Sequence, residues 1–534
     1  MTEMTGAQAI IKTLKKYGID TIFGLPGVQL DNIFDALYHE DSIRIIHTRH
    51  EQAAGYMAFG YAASTGKAGV CLVVPGPGLL NASAALSTAY ACNTPVLVLV
   101  GQIRSDMIGK GVGLLHEVPN QLRMMESVAK WTASAPSPAG APALVHEAFK
   151  QLQTGRTRPV VLEMAMDVMG QKSEVKITER PHEPERPEGD PDLIEKAAKI
   201  LGNAKNPIIY VGGGAQDAAT GVRELAESLQ APVTCSTSGK GVISDTSYLA
   251  QNRISARELW HKADAVLIVG SRVTGPVLMS KWPFEDGRKI IRIDIDPEEF
   301  DRLFKSEVGI IADTGKCLKE MIKRVEKHNK PRQSREDELI TAKKKSLKTF
   351  YEVQPLASYT EVIRQELGDE GIFVPEMTQM GYFSWVWFPV YHPRTYISCG
   401  YQGTLGYGFA TALGVKVANP DKQVISINGD GGFLFTCQEL ATALLHKINL
   451  VSIIFRDNAY GNVRKIQDQS YGGRNIATDL HNPDFVKYAE AFGAAGIRAK
   501  SPESLRDAIR RGFANDVPTL IEVPMGKAPD LRLS

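Results

Sequence analysis

The sequence predicts an α/β protein built from three doubly wound domains with mostly parallel sheets. Three observations predict it. Short β-rich runs alternate with helical patterns through nearly all of the 534 residues, as parallel strands joined by crossover helices read. Two polar stretches, GQKSEVKITERPHEPERPEGD (170–190) and KHNKPRQSREDELITAKKKSLKTF (327–350), cut the chain into three domain-sized blocks. Several apolar runs end in glycine clusters, and ligands of such sheets bind beyond the carboxyl ends of the strands.

The blocks predict domains at 1–170, 190–328 and 352–534. The first offers the runs TIFGLP, IRIIHT, AGVCLVV, PVLVLVG and RPVVLEM. The second offers PIIYVGGG, APVTCS, AVLIVGS and KIIRIDI. The third offers GIFVPEM, TYISCG, QVISINGD, LVSIIFRD and PTLIEVP. The polar stretch at 170–190 reads as a linker, and the one at 327–350 as a solvated helix with its connection. MTEMTGAQAIIKTLKKYG at the N-terminus reads as an amphipathic helix with mixed charges rather than a signal peptide.

Composition narrows the function. A net charge of +1 gives no reason to expect nucleic acid or an anionic membrane as partner. No apolar run reaches the roughly 18 residues that span a bilayer. The six cysteines are scattered without a CxxC pair, as in a cytoplasmic protein with reduced thiols.

INGDGGF (427–433) carries the strongest chemical signal. Gly429, Gly431 and Gly432 let backbone N–H groups approach an anion at a helix start. Asp430 beside an anion requires a cation between them. Mg²⁺ suits that place, because it binds carboxylate, amide and phosphate oxygens together. Residues 432–457, 26 in all, separate this triplet from Asn458, which follows the next strand. One helix and one strand use about that length, so the two turns are expected side by side. The pair predicts a metal with a diphosphate.

GDG, 26 residues and Asn resemble the cofactor motif of thiamine-diphosphate-dependent enzymes. Residues 46–102 resemble the pyrimidine-binding domain of the acetohydroxyacid synthase, pyruvate oxidase and benzoylformate decarboxylase family, and GYQGTLGYGFATALG (400–414) resembles its segment under the cofactor. The resemblance covers all three blocks, as pyrimidine-binding, central and diphosphate-binding domains; in the central one it is mainly architectural.

The resemblance implies roles residue by residue. Asp430 and Asn458 are side-chain ligands of Mg²⁺, and Tyr460 supplies a backbone carbonyl. Gly431 and Gly432 offer N–H groups to the diphosphate. Thr378 and Gln379, in VPEMTQ, contact phosphate oxygens. Leu405 props the cofactor into a bent shape, and the carbonyl of Gly403 accepts from its exocyclic amine. Glu51 is the catalytic acid that hydrogen-bonds to the aminopyrimidine ring, a task suited to a buried carboxyl. Asn81, in PGPGLLN, lies near the cofactor. Val28, Gln29, Leu115 and Ile466 border the substrate. His116 stands where it can relay protons, although an isolated histidine is as readily structural.

Two departures bear on the reaction. Ile466 stands roughly where the synthases favour tryptophan, which bears on the choice of 2-oxobutyrate as acceptor. No HH pair occurs, unlike in pyruvate decarboxylases. VGGGA (211–215) allows a nucleotide or merely close packing of strand on helix. FAD is not expected, because SDTSYLAQNRISARELWHKADAVLIVGSRVTGP is short and lacks an MLGMHG-like turn. The leading expectation is decarboxylation of a 2-oxoacid, pyruvate first, followed by carboligation to a second 2-oxoacid, acetolactate-synthase-like, in a homodimer or homotetramer. The alternatives are a benzoylformate-type decarboxylase releasing an aldehyde, a nucleotide-dependent oxidoreductase, and a non-catalytic scaffold.

Overall fold

The computed structural model describes residues 1–273, 282, 287–526 and 529–531. Three parallel sheets follow one another along the chain. The first has six strands, in the spatial order Arg44–His47, Thr21–Gly24, Gly69–Val73, Val96–Gln102, Val160–Ala165, Trp131–Ala135. The second runs Val233–Cys235, Pro207–Val211, Ala265–Val269, Lys289–Asp294, Val308–Ile311. The third runs Ile372–Pro375, Val424–Gly429, Val451–Arg456, Thr519–Pro524, Ala495–Arg498. Helices cover both faces, so central strands such as VLVLVGQ are buried along their whole length and read as continuous apolar runs.

Several local expectations are corrected. Residues 2–5 form a strand, paired antiparallel with Lys172–Val175, before the helix Gly6–Lys16 begins at a Thr5–Gln8 capping box. The start of the presumed linker thus belongs to the first unit. TYISCG makes only an isolated bridge, Tyr396 with Phe373. Within 327–350, Leu339, Ser346 and Phe350 are buried on the helix Glu336–Glu352, so that helix is not simply solvated.

Packing ties the first and third units together. The helix Glu51–Thr65 crosses Tyr407–Ala418 so closely that a Cβ on Gly60 would collide with the Thr411 carbonyl. One on Gly414 would collide with that of Met57. Their residues share one core, in which Tyr56, Met57 and Leu86 meet Phe409, Leu413 and Phe433. The central sheet has its own core around Trp260 and Leu267. No helix among the described residues is long and apolar enough to cross a membrane.

Candidate active site

The third sheet places the glycine turn. Gly429 pairs with Phe455 on the neighbouring strand, so the turns after Val424–Gly429 and Val451–Arg456 lie side by side. Asp430 opens a one-turn helix, Asp430–Phe433, and is 2% exposed. Its Oδ1 accepts from Gly431 N (3.0 Å) and its Oδ2 from Asn458 N (2.7 Å). Burial raises its pKa. Asn458 adopts φ 55°, in the left-handed region that asparagine tolerates.

Asn482 completes this group. Its Nδ2 donates to Asp430 Oδ2 (2.8 Å) and to Asn458 Oδ1 (3.0 Å). Two ligand-type oxygens thus converge on one donor, the arrangement that a cation would replace. Asp457, in the same turn, is pushed up to about 6 by burial and by Asp430. The backbone carbonyl of Tyr460 accepts from Arg464 N (3.0 Å) at the start of the helix Gly461–Ser470.

The turn is bare for two reasons, and the sequence indicated one. A Cβ on Gly431 would stand 2.8 Å from the Tyr460 ring and from Leu480. A Cβ on Gly432 would stand 2.6 Å from the carboxyl of Glu376. Glu376 is buried beneath the turn, and burial pushes its pKa up to about 8. Its Oε1 accepts from Gly406 N (2.5 Å), and its Oε2 has no partner among the described residues.

The VPEMTQ loop borders the same space. Thr378 sits at the N-cap position of the helix Gln379–Trp387 without a side-chain capping bond, and lies against Gly429. Gln379 is buried, and its Nε2 donor has no partner among the described residues. Gly403 and Gly406 adopt φ of 59° and 79°, which lets the chain turn under this loop, with half-buried Leu405 between them. An orphaned donor, a bare turn and paired oxygens fit a diphosphate with its cation.

The first sheet builds a second group. Glu51 is the first residue of its helix, capped by His50, whose Nδ1 accepts from Gln52 N (3.1 Å). It is 9% exposed, and Asn81 Nδ2 donates to its Oε2 (3.0 Å). Gln29, also buried, donates to the Leu115 carbonyl (3.0 Å), and its Oε1 lies 3.0 Å from His116 Nδ1. His116 has φ 69° and packs its carbonyl under Gly76. Gln121 accepts from Gly76 N (3.1 Å) and donates to Glu163, which fixes the PGPG loop.

The structure therefore joins Glu51 with Asn81, and Gln29 with Leu115 and His116. It also joins Asp430 with Asn458. It does not gather Val28, Leu115 and Ile466 into a wall: they are 50%, 62% and 47% exposed, and Ile466 belongs to the third unit. Sequence reasoning missed Asn482, Glu376 and Gln121. Glu376 lay inside a motif already noticed; Asn482, before Pro483, reads only as a turn residue.

A cleft of about 530 Å³ opens where the carboxyl ends of the central strands meet the other two units, with Phe59 and Arg394 among its lining. Gly213, Gly270 and Asp294 line it. Gly212 and Gly214 abut Gly270, so this glycine run packs turn on turn rather than strand on helix. The segment taken as evidence against FAD ends at Thr274, Gly275 and Pro276, which lie outside the described residues.

A three-sheet α/β architecture with two polar, glycine-bordered groups on its outer units defines a cofactor-dependent enzyme class. Family models assign it: residues 4–124, 194–321 and 376–523 match the N-terminal thiamine pyrophosphate binding domain, the central domain and the C-terminal thiamine pyrophosphate binding domain of thiamine pyrophosphate enzymes. The chain belongs to this family, as the sequence motifs indicated. It is 32% identical to a probable acetolactate synthase large subunit of Methanococcus aeolicus, over 99% of this chain and 93% of that one. A probable 2-ketoarginine decarboxylase of Pseudomonas aeruginosa is 32% identical over 97% and 94%. Acetolactate synthase isozyme 3 large subunit of Escherichia coli is 30% identical over 95% and 91%.

Proposed function

We propose that the chain is a Mg²⁺- and thiamine-diphosphate-dependent carboligase, which decarboxylates pyruvate and joins the remainder to a second 2-oxoacid. The observation that carries the cofactor reading is the convergence of Asp430 Oδ2 and Asn458 Oδ1 on the Asn482 amide beside a bare glycine turn; the carboligation is supported by likeness to acetolactate synthase large subunits. Asp430, Asn458 and the Tyr460 carbonyl would hold the cation. Gly431, Gly432, Thr378 and Gln379 would hold the diphosphate. Gly403 and Leu405 would orient the rest of the cofactor.

When bound, thiamine diphosphate supplies the electron sink for the carbanion left as CO₂ departs. Glu51, with its carboxyl oriented by Asn81, would hydrogen-bond to the pyrimidine ring and serve as the acid there. Gln29 and His116 form a polar pair that would take the carboxylate of the second 2-oxoacid. Val28, Leu115 and Ile466 would exclude water once covered, which slows release of a free aldehyde.

The second reading is a 2-oxoacid decarboxylase that releases an aldehyde. It is favoured by the 2-ketoarginine decarboxylase being as similar as the synthases. Product analysis with pyruvate separates the two. Acetolactate with little acetaldehyde supports carboligation. Acetaldehyde as main product overturns it, and turnover of a larger 2-oxoacid alone moves the substrate but not the chemistry.

A further inference from the structure

Glu439 is a fully buried carboxylate with no place in the chemistry above. It ends the short 3₁₀ turn Cys437–Glu439, nine residues after Asp430. Its oxygens face the first unit. Arg49 N donates to Oε1 (3.2 Å) and Oε2 (3.1 Å), and the His50 N–H also faces this carboxyl. Thr442 Oγ1 donates to Oε2 (2.7 Å). A buried carboxylate costs free energy unless its lone pairs are filled. Here they are filled by the backbone of the two residues that immediately precede Glu51.

The surrounding contacts make this a clasp between two units. Arg44 donates to the His446 carbonyl (2.8 Å), and His47 N donates to His446 Nε2 (3.2 Å). The segment 439–446 thus runs along residues 44–50 and grips them at three places. Its other end is equally fixed. Phe433 and Thr436 are buried, and Thr436 Oγ1 donates to the Gly406 carbonyl (3.0 Å). A short, rigid stretch therefore links the Asp430 turn to the start of the Glu51 helix. Negative charge at that helix start also suits its dipole.

We infer that Glu439 is a positioning residue: it holds the Arg49–His50 backbone so that Glu51 meets the pyrimidine ring correctly, and it couples that placement to the Asp430 turn. The inference rests on the reading of Glu51 as the acid. Glu439→Gln keeps the shape but turns an N–H₂ donor towards backbone N–H donors. Loss of one or two charge-assisted hydrogen bonds corresponds to about tenfold or more.

The test uses the full chain in two states. Without cofactor, amide hydrogen exchange of residues 49–54 should quicken about tenfold in Glu439→Gln. With Mg²⁺ and thiamine diphosphate, exchange at the thiazolium carbon should slow by a similar factor, while cofactor affinity by calorimetry stays near wild type. Glu439→Asp should restore part of both. Wild-type exchange in both states overturns the inference, and so does a loss of cofactor affinity as large as the loss of exchange. Should Glu439→Gln fail to fold, Thr442→Val carries the same test with a smaller effect, and wild-type exchange there overturns it equally. Glu51→Gln is the control. If it exchanges like wild type, the reading of Glu51 fails; if it alone is slow, only the role of Glu439 fails.

Discussion

At the residue scale, the glycine turn shows how much one short motif can carry. Asp430 and Asn458 were legible because each follows a strand and their spacing fits one crossover. Asn482 was not, because its partners lie 52 and 24 residues away and no local pattern marks it. On the proposed function, removing the Asp430 carboxylate would take away a hard oxygen ligand and leave diphosphate charge uncompensated. Asp430→Ala should therefore abolish Mg²⁺-dependent binding of thiamine diphosphate by calorimetry while thermal unfolding stays cooperative; unchanged affinity would remove Asp430 from the metal site. Glu51→Gln should bind cofactor normally and lose about 10²-fold in rate, the scale of lost acid–base assistance.

Glu376 gives a pH prediction with a definite sign. Its pKa is raised to about 8 in the fold, from 4.5 when exposed. The folded state therefore holds the extra proton between those values, and stability falls as pH rises through that window. Denaturation of the cofactor-free protein between about pH 5 and pH 8 should show wild type losing stability relative to Glu376→Gln. Parallel stability curves for the two proteins would mean that the carboxyl is ionised throughout.

At the element scale, the buried strands were legible, and so was one edge of each parallel sheet; the opposite edge was not. The runs VLVLV and QVISI announce themselves by composition. The edge strands Trp131–Ala135, Val308–Ile311 and Ala495–Arg498 were missed because WTASA, VGII and AGIR are short or weakly apolar. Residues 433–447, FLFTCQELATALLHK, form not one helix but the end of one turn, a 3₁₀ turn and the helix Leu440–Leu445. The break turns Glu439 towards Arg49, a tertiary demand that periodicity does not express. The crossing of Glu51–Thr65 on Tyr407–Ala418 is equally a matter of contact. Gly414→Ala adds a Cβ against the Met57 carbonyl, and overpacking of this kind costs about 1–3 kcal/mol. A lower midpoint in thermal denaturation checks it; an unchanged midpoint would show that the helices can separate freely.

At the scale of the whole molecule, the two polar groups present a problem that a single chain leaves open. Glu51 and Asn81 belong to the first unit, and Asp430 and Asn458 to the third. The helix crossing and the Glu439 clasp fix how these units meet within the chain. Around each group stand large apolar side chains that remain about half exposed: Val28, Leu80 and Leu115 on one side, Phe435, Val463 and Ile466 on the other. One solution covers both sets at once, namely a second copy that sets its Glu51 group against this chain's Asp430 turn. A symmetric pair would then make two equivalent sites and bury each apolar set. Such an interface should exceed about 2,000 Å² in total, as obligate homodimers do. Sedimentation at assay concentration should show a dimer, or two dimers paired, and activity per chain should fall when dilution dissociates it. Mixing inactive Glu51→Gln with inactive Asp430→Ala should restore up to about a quarter of the wild-type activity, because random pairing leaves half the protein as mixed dimers with one intact site each. A fully active monomer, or no recovery after subunit exchange is confirmed, would place both groups in one chain's own site.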